Sequence, residues 1–339
     1  METKRLGWTT STVTVALLAL LITLPLSLLA VRLVLGWLRK KQIMDLPNDR
    51  SSHSLPTPRG GGLAVTPICL LGWAVLTGLG YALPASGLPL LGAIALLALS
   101  WTDDRKGLPP GRRLAVHIGA CVLGLLALPT DALIFQGIMP FWLDRTVALL
   151  GYVWFVNLFN FMDGIDGITG TETAVIAAGL ALIAGLDGRP EAMAQPTVLF
   201  AAAMGFLFWN WHPAKLFLGD SGSVPLGYLL GWLLLDLAGH GHLAAALILP
   251  LYYLADATIT LLRRLARGEK VWQAHREHFY QKALSGGRGH DKVVLSILLA
   301  DLVLLALALD SLWMPWAAIG TAVVAVAVLI RQLLRMGKA

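Results

Sequence analysis

The stretch Val13-Thr-Val-Ala-Leu-Leu-Ala-Leu-Leu-Ile-Thr-Leu-Pro-Leu-Ser-Leu-Leu-Ala-Val-Arg-Leu-Val-Leu-Gly36 is apolar over the length that a helix needs to cross a bilayer, roughly 20 residues. Barrel strands would alternate apolar and polar residues, and this stretch does not, so it reads as a spanning helix. It follows Lys4 and Arg5 as a signal peptide would, but its apolar run is too long and no small-residue cleavage site precedes a soluble remainder; it is expected to be retained. The rest of the chain agrees. It has 339 residues, 57% of them hydrophobic and 14% charged, with a mean hydropathy of +0.71. An ordinary soluble domain would lack polar side chains to cover its surface at that composition.

Eleven candidate spans follow, at about 12–36, 61–82, 86–101, 113–130, 143–160, 170–186, 194–210, 222–239, 242–263, 293–311 and 313–331. The expected fold is all-α, a polytopic transmembrane protein forming a single domain over residues 1–339. Most of the 26 Lys and Arg then fall on one side, densest between Arg263 and Lys292. The positive-inside rule places the N-terminus in the periplasm and the C-terminus in the cytoplasm of a bacterial inner membrane. The net charge of +6 is thereby explained by topology, with no nucleic-acid partner implied. Cys69 and Cys121 lie within apolar segments and read as small core residues.

With that topology the motif-bearing connections, 37–60, 102–112, 160–170, 211–222 and 264–292, all face the cytoplasm and are expected to build one active site. Asn157-Leu-Phe-Asn-Phe-Met-Asp-Gly-Ile-Asp-Gly-Ile-Thr-Gly170 brings two carboxylates, Asp163 and Asp166, and two carboxamides, Asn157 and Asn160, to the junction of two apolar segments. A bilayer makes such groups costly, which marks them as functional candidates. Gly164 and Gly167 follow the two acids and permit tight turns and close approach to a ligand such as a hard cation or a phosphate.

The first cytoplasmic connection ends in Pro-Thr-Pro-Arg59-Gly-Gly-Gly62, where the prolines forbid a helix and the glycine amides are expected to approach an anion beside Arg59. A basic loop resting on acidic headgroups would explain the arginines but not the three glycines. Trp101-Thr-Asp-Asp-Arg-Lys-Gly107 puts Asp103 and Asp104 at a helix C-terminus, the wrong end of the dipole; simple pairing with Arg105 or Lys106 is the plainer alternative. Trp211-His-Pro-Ala-Lys-Leu-Phe-Leu-Gly-Asp-Ser-Gly-Ser223 offers Lys215 and sets Asp220 among small residues before a helix, where it could hold a cation or merely cap. In Ala274-His-Arg-Glu-His-Phe-Tyr-Gln281, His275 and His278 share a face if the segment is helical. With Arg276 between them they read as anion and base-ring recognition; zinc would want further ligands. Asp256 and Asp301 lie within spans without motif company and are left to helix packing or support, while Asp236, His117, His240 and His242 carry no functional expectation.

Carboxylates for Mg²⁺ beside cations for phosphate oxygens fit a nucleotide diphosphate, since Mg²⁺ takes few protein carboxylates and completes its shell with phosphate and water. In this order, Asp103-Asp104, Asn157-x-x-Asn-x-x-Asp-Gly-x-Asp-Gly167, Gly219-Asp-Ser-Gly-Ser223 and the His275/His278 loop resemble the polyprenyl-phosphate N-acetylhexosamine-1-phosphate transferases. That family includes the enzymes that start O-antigen, enterobacterial common antigen and teichoic acid synthesis, and the phospho-MurNAc-pentapeptide translocase. The resemblance covers nearly the whole chain. It implies transfer of a sugar-1-phosphate from a UDP-N-acetylhexosamine to undecaprenyl phosphate, with Mg²⁺ (or Mn²⁺) and release of UMP. It further implies that Asp220 is the metal ligand, that Asp103 and Asp104 are the pair at the lipid-phosphate and diphosphate site, and that Asn160, Asp163 and Asp166 form the nucleotide and diphosphate shell. Arg59, Asn157, Lys215, His275, Arg276 and His278 would bind substrate. His-Arg-Glu-His departs from the denser histidine run of the translocase, which, with the Arg-Gly-Gly-Gly loop, points to the O-antigen-initiating branch. A homodimer is compatible with this reading, and direct attack and a covalent phospho-aspartate both stay open. A secondary or Mg²⁺ transporter is the alternative from another class, but it would place acids near mid-membrane with access from both sides. A CDP-alcohol phosphatidyltransferase is chemically closer, yet Ile168 and Thr169 follow Asp166-Gly167 where its Asp-Gly-x-x-Ala-Arg start would continue otherwise.

Overall fold

In a computed structural model, residues 10–47, 52, 55–271 and 275–338 are described. They form a helical bundle: α1 (Thr10–Lys40), α2 (Gly62–Gly78), α3 (Gly87–Lys106), α4 (Pro110–Leu126), α5 (Phe141–Phe161), α6 (Ile168–Leu186), α7 (Ala194–Asn210), α8 (Asp220–Gly239), α9 (Leu243–Ile248), α10 (Leu251–Ala266), α11 (Phe279–Ala283), α12 (His290–Asp310) and α13 (Pro315–Met336). Among the described residues the sheet content is a two-residue ribbon of β1 (Met44–Asp45) antiparallel to β2 (Thr57–Pro58). Each of the eleven expected segments holds a helix. The segment expected at 242–263 is broken into α9 and α10 at Leu249-Pro250, since proline has no N–H to continue the ladder. Among the described residues six helices are both long and apolar enough to cross a membrane: Thr12–Lys40, Ile168–Leu186, Pro190–Asn210, Asp220–Gly239, His290–Asp310 and Pro315–Met336.

Local sequence explains the boundaries. Pro110 and Pro315 open α4 and α13, where a missing N–H costs nothing, and Gly107, with φ +64°, ends α3. Arg39 and Lys40, Arg105 and Lys106, and Arg263 and Arg264 occupy the last turns of α1, α3 and α10, complementing the helix dipoles.

The most buried of the long helices is α8, and it packs against α2, α3, α5 and α6. Its small residues make that possible. A side chain at Gly227 would press on the Phe159 ring and one at Gly231 on Tyr152 and Phe155. Tyr152 and Tyr228 stack at 5.2 Å, with the Tyr152 hydroxyl donating to the Tyr228 carbonyl and the Tyr228 hydroxyl to the Ala120 carbonyl. Burying these hydroxyls is tolerated because each finds a backbone acceptor. The outer helices α1, α12 and α13 instead expose Leu21, Leu33, Leu299, Val324 and Val328, a surface suited to lipid. The core therefore sits around α8, and its N-terminus opens at the end of the bundle where α3, α5 and α10 finish.

Candidate functional site

The first turn of α8 is the hub. Arg59, just after β2, extends its guanidinium so that Nη2 lies 2.7 Å from Asp220 Oδ1 and 3.4 Å from Asp104 Oδ1, and Nη1 lies 3.8 Å from Asp45 Oδ2. One fork thus balances three carboxylates from three separate elements. The N-cap of α8 is Gly219, and Asp220 is the first residue inside the helix, with its carboxylate on Arg59. The expected anion cradle at Gly60–Gly62 is also not formed. The amides of Gly60 and Gly61 donate to the Phe217 carbonyl and that of Gly62 to Leu218, and a Cβ on Gly62 would come within 2.0 Å of the Gly222 nitrogen. These glycines let two backbones touch, which seats Arg59 beside Asp220.

A cleft of ≈ 270 Å³ opens beside this hub, lined among others by Asp45, Arg59, Asn160, Asp163, Asp166 and Asp220. Asp163 lies in the turn after α5. Its carboxyl is pushed up to about 6, chiefly by burial and also by Asp220, against the Thr169 hydroxyl and Arg59. Asp104 is likewise pushed up to about 6, by burial and then by Asp220, with Arg59 opposing. Asp166 behaves differently. Burial works against its charge, but hydrogen bonds from His290 and His212 and from the Ala214 amide hold its carboxyl below the usual range. His212 Nδ1 is 2.6 Å and the Ala214 nitrogen 3.1 Å from Oδ2. His290 Nδ1 lies 3.3 Å from Asp166 Oδ1 and 3.2 Å from the Asp166 amide nitrogen, and Nε2 lies 3.0 Å from the Ser52 carbonyl. These contacts tie the first connection, the turn before α6 and α12 together. Gly167, at φ +81°, turns the chain into α6 while its amide donates to Asn210 Oδ1.

On the other side of Asp220 lies a second cleft of ≈ 200 Å³ with more apolar walls, Leu99, Leu114, Phe161 and Val224, and with Asp103, Arg113, His117 and Asn157. Asp220 and Asn160 line both clefts. Asn160 Oδ1 accepts from the Ser223 hydroxyl at 2.6 Å, and Asn157 Nδ2 donates to the Val153 carbonyl at 2.7 Å. Asp103 pairs with Arg113 at 3.0 Å and accepts from the Leu108 amide, rather than pairing with Arg105 or Lys106; Arg105 instead lies over Trp101.

The histidine loop is organised from behind. His275–His278 is not helical, which corrects the expected i, i+3 face, yet the two rings still meet at 4.8 Å because α11 begins immediately after His278. Asp256 of α10, fully buried, accepts from His278 Nδ1 at 3.0 Å, the Phe279 amide at 3.1 Å, the Tyr280 amide at 3.3 Å and the Tyr252 hydroxyl at 3.0 Å. Through Tyr280, whose hydroxyl would meet a Cβ on Gly164 at 2.1 Å, this loop touches the Asp163 turn. His275, His278, Arg276 and Lys215 do not line either cleft. Lys215 is exposed, with its ammonium over the Trp209 ring at 5.4 Å, and Arg276 is exposed.

Sequence reasoning missed Asp45, Asn210 and His290 in the first cleft, His212 behind Asp166, and Arg113 and His117 in the second. For Asn210, His212 and Arg113 the neighbouring motifs were a usable signal. Asp45 and His290 lack one, because their partners lie far away in sequence.

The family model for glycosyl transferase family 4 matches residues 87–238, which hold every acid of the two clefts except Asp45. A decaprenyl-phosphate N-acetylglucosaminephosphotransferase of Mycolicibacterium smegmatis is 30% identical over 312 residues, covering 78% of this chain and 75% of that protein. The undecaprenyl-phosphate alpha-N-acetylglucosaminyl 1-phosphate transferase of Escherichia coli K12 is 28% identical over 285 residues, covering 78% and 76%. A probable undecaprenyl-phosphate N-acetylglucosaminyl 1-phosphate transferase of Bacillus subtilis is 25% identical over 272 residues, covering 77% and 75%. Likeness of that breadth makes this chain a member of glycosyl transferase family 4, among its polyprenyl-phosphate N-acetylhexosamine-1-phosphate transferases.

Proposed function

We propose that the protein transfers an N-acetylhexosamine-1-phosphate from a UDP-sugar to undecaprenyl phosphate, releasing UMP, as the initiating step of O-antigen or a related cell-surface polysaccharide. Eleven spans with the N-terminus in the periplasm would set both clefts at the cytoplasmic face of the inner membrane, and the asymmetry of Lys and Arg supports that orientation. The observation that carries the reading is the shared wall. A polar cleft and an apolar-walled cleft meet at Asp220 and Asn160, which suits a water-soluble nucleotide on one side and a lipid phosphate on the other. The relatives' names, a GlcNAc-phosphate group and a polyprenyl phosphate, support the same chemistry.

The donor set fits Mg²⁺. Asp220, Asp163, Asp104 and Asn160 offer hard oxygen atoms, and the Asp163 and Asp104 carboxyls are raised by burial and then by the charge of Asp220, which a cation would offset. Asp220 would hold the ion, which when bound would neutralise charge on the donor's phosphates. Arg59, whose Nη2 reaches Asp220 and Asp104, carries the planar fork that would pair with a phosphate bidentately. A phosphate monoester has its second pKa near 6 and is largely dianionic at neutral pH, so the acceptor needs little general-base help. Asp103, already committed to Arg113 and the Leu108 amide, fits positioning rather than nucleophilic attack. Direct in-line attack on the sugar-linked phosphorus follows. Asp166, fixed by two histidines, would orient the nucleotide end of the donor.

The test incubates purified protein in detergent with undecaprenyl phosphate, Mg²⁺ and a panel of UDP-N-acetyl sugars, reading UMP and the mass of the lipid product. UMP with a sugar-diphospholipid, lost in Asp220→Asn, is expected and would name the donor. No UMP from any donor, with lipid and metal verified, would sink the proposal.

A further inference from the structure

Among the described residues the histidine loop reaches the first cleft through Gln281 of α11, which has no part in the scheme above. Its Oε1 accepts from the His278 amide at 3.3 Å, and that bond settles which end of the carboxamide is nitrogen. Nε2 lies against Gly164, the residue after Asp163, 3.2 Å from where a Cβ on that glycine would sit. It has no hydrogen-bond partner among the described residues, and it is not enclosed. The other side-chain donors on the cleft wall are committed. Asn210 gives Nδ2 to the Leu216 carbonyl and takes the Gly167 amide on Oδ1. His290 is held between Asp166 and the Ser52 carbonyl, and the Ser52 hydroxyl is enclosed. Arg59 lies on Asp220 and Asp104, and Asn160 stands where the two clefts meet, its oxygen on the Ser223 hydroxyl.

We propose that Gln281 recognises the N-acetyl group of the donor sugar, with Nε2 donating a hydrogen bond to the acetamido carbonyl; the proposal rests on the transfer reaction above. The rest of the polar wall consists of the carboxyl groups of Asp45, Asp163, Asp166 and Asp220, which accept when ionised. A sugar hydroxyl has a hydrogen to give such a wall. A carbonyl has none, so it needs an N–H, and Gln281 supplies the one that no protein group has taken. Its neutrality suits the acetamide as the charge of Arg59 suits a phosphate. A sugar with a plain 2-hydroxyl would not reach Nε2 and would leave it unpaired beside the bound donor. The contact therefore separates N-acetylhexosamines from simple hexoses and is blind to the C4 epimer.

Binding is measured without acceptor on the full chain in detergent, as wild type, Gln281→Glu and Gln281→Met. The probes are UDP-GlcNAc with UDP-glucose, UDP-GalNAc with UDP-galactose, and UMP. Glutamate keeps an oxygen for the His278 amide and loses the donor, whereas methionine is neutral and loses both. In at least one of the two pairs wild type is expected to prefer the N-acetylated member by about tenfold, the worth of one hydrogen bond. In both variants that ratio falls to about one, while the Kd for UMP in Gln281→Met stays within about twofold of wild type. The charge of glutamate weakens both members of a pair alike, so the ratio is read and not the affinity. With undecaprenyl phosphate added, the kcat/KM ratio follows the same course. If one variant fails to fold, the other reads the same ratio. A ratio unchanged from wild type, which a merely structural role would give, overturns the proposal, and so does wild type with no preference for the N-acetyl group. Should wild type bind with that preference yet release no UMP, the transfer reading falls while the binding ratio still decides the role of Gln281.

Discussion

Asp256 is where a single substitution should reveal how the histidine loop is held. Its carboxylate is fully buried and accepts from His278 Nδ1, two successive backbone amides and a tyrosine hydroxyl. Asp256→Ala removes all of these acceptors at once. Two main-chain N–H groups and a ring nitrogen would be left buried without partners, at about 1–3 kcal/mol each, with partial relief as the loop loosens toward water. A net loss of about 3–5 kcal/mol is expected, the range for breaking one side of a buried charged contact. At about 2 °C per kcal/mol for a chain of this size, the thermal midpoint in detergent should fall by about 6–10 °C. Protease sensitivity should rise between Arg263 and Lys292, and UMP release should fall with it because Tyr280 no longer seats the Gly164 turn. A midpoint within about 1 °C of wild type, with the loop still resistant to protease, would refute the reasoning.

Three further outcomes follow from the geometry. Gly62→Ala would drive a methyl group into the backbone of α8 at Gly222, so the α2–α8 contact must open, and both thermal stability and turnover should drop; a stable, active variant would show that the contact yields cheaply. Arg59→Ala should lower kcat/KM for the UDP-sugar by about 10²–10³, as loss of one preorganised charge contact does, with little effect on the acceptor KM in steady-state assays. His275 is held down to about 4 from its ordinary 6.5, first by burial and then by the His278 ring and Arg264. The unfolded chain therefore binds the extra proton first as the pH falls, so stability present above about 6.5 is lost toward pH 4. Melting of wild type and His275→Gln across that window should converge at the acid end, and parallel curves would contradict this.

Much of this is legible in the amino-acid sequence. The apolar segments, the break at Pro250 aside, became the helices, and the acids of three motifs met at one end because their connections all lie on that side. The failures have physical causes. Three glycines beside Arg59 serve equally to offer amides to an anion or to let two backbones touch, and only the partner, Gly222, some 160 residues away, decides which. Asp256 looked solitary because its partners, His278 to Tyr280, come 22–24 residues later, outside any motif window. His290 reaches Asp166 across 124 residues. Lys215, by contrast, was promoted by its neighbours in sequence, yet its side chain lies over Trp209 and away from the clefts.

The two clefts that share Asp220 and Asn160 have a kinetic corollary. On the proposed placement of nucleotide and lipid in separate clefts, neither substrate would have to leave before the other arrives. Steady-state plots should therefore intersect as for a ternary complex, not run parallel as for a covalent relay. UMP should compete with the UDP-sugar alone, and the lipid product with the lipid acceptor alone. The membrane would then exchange its passengers on one side of Asp220 while the cytoplasm exchanges its own on the other.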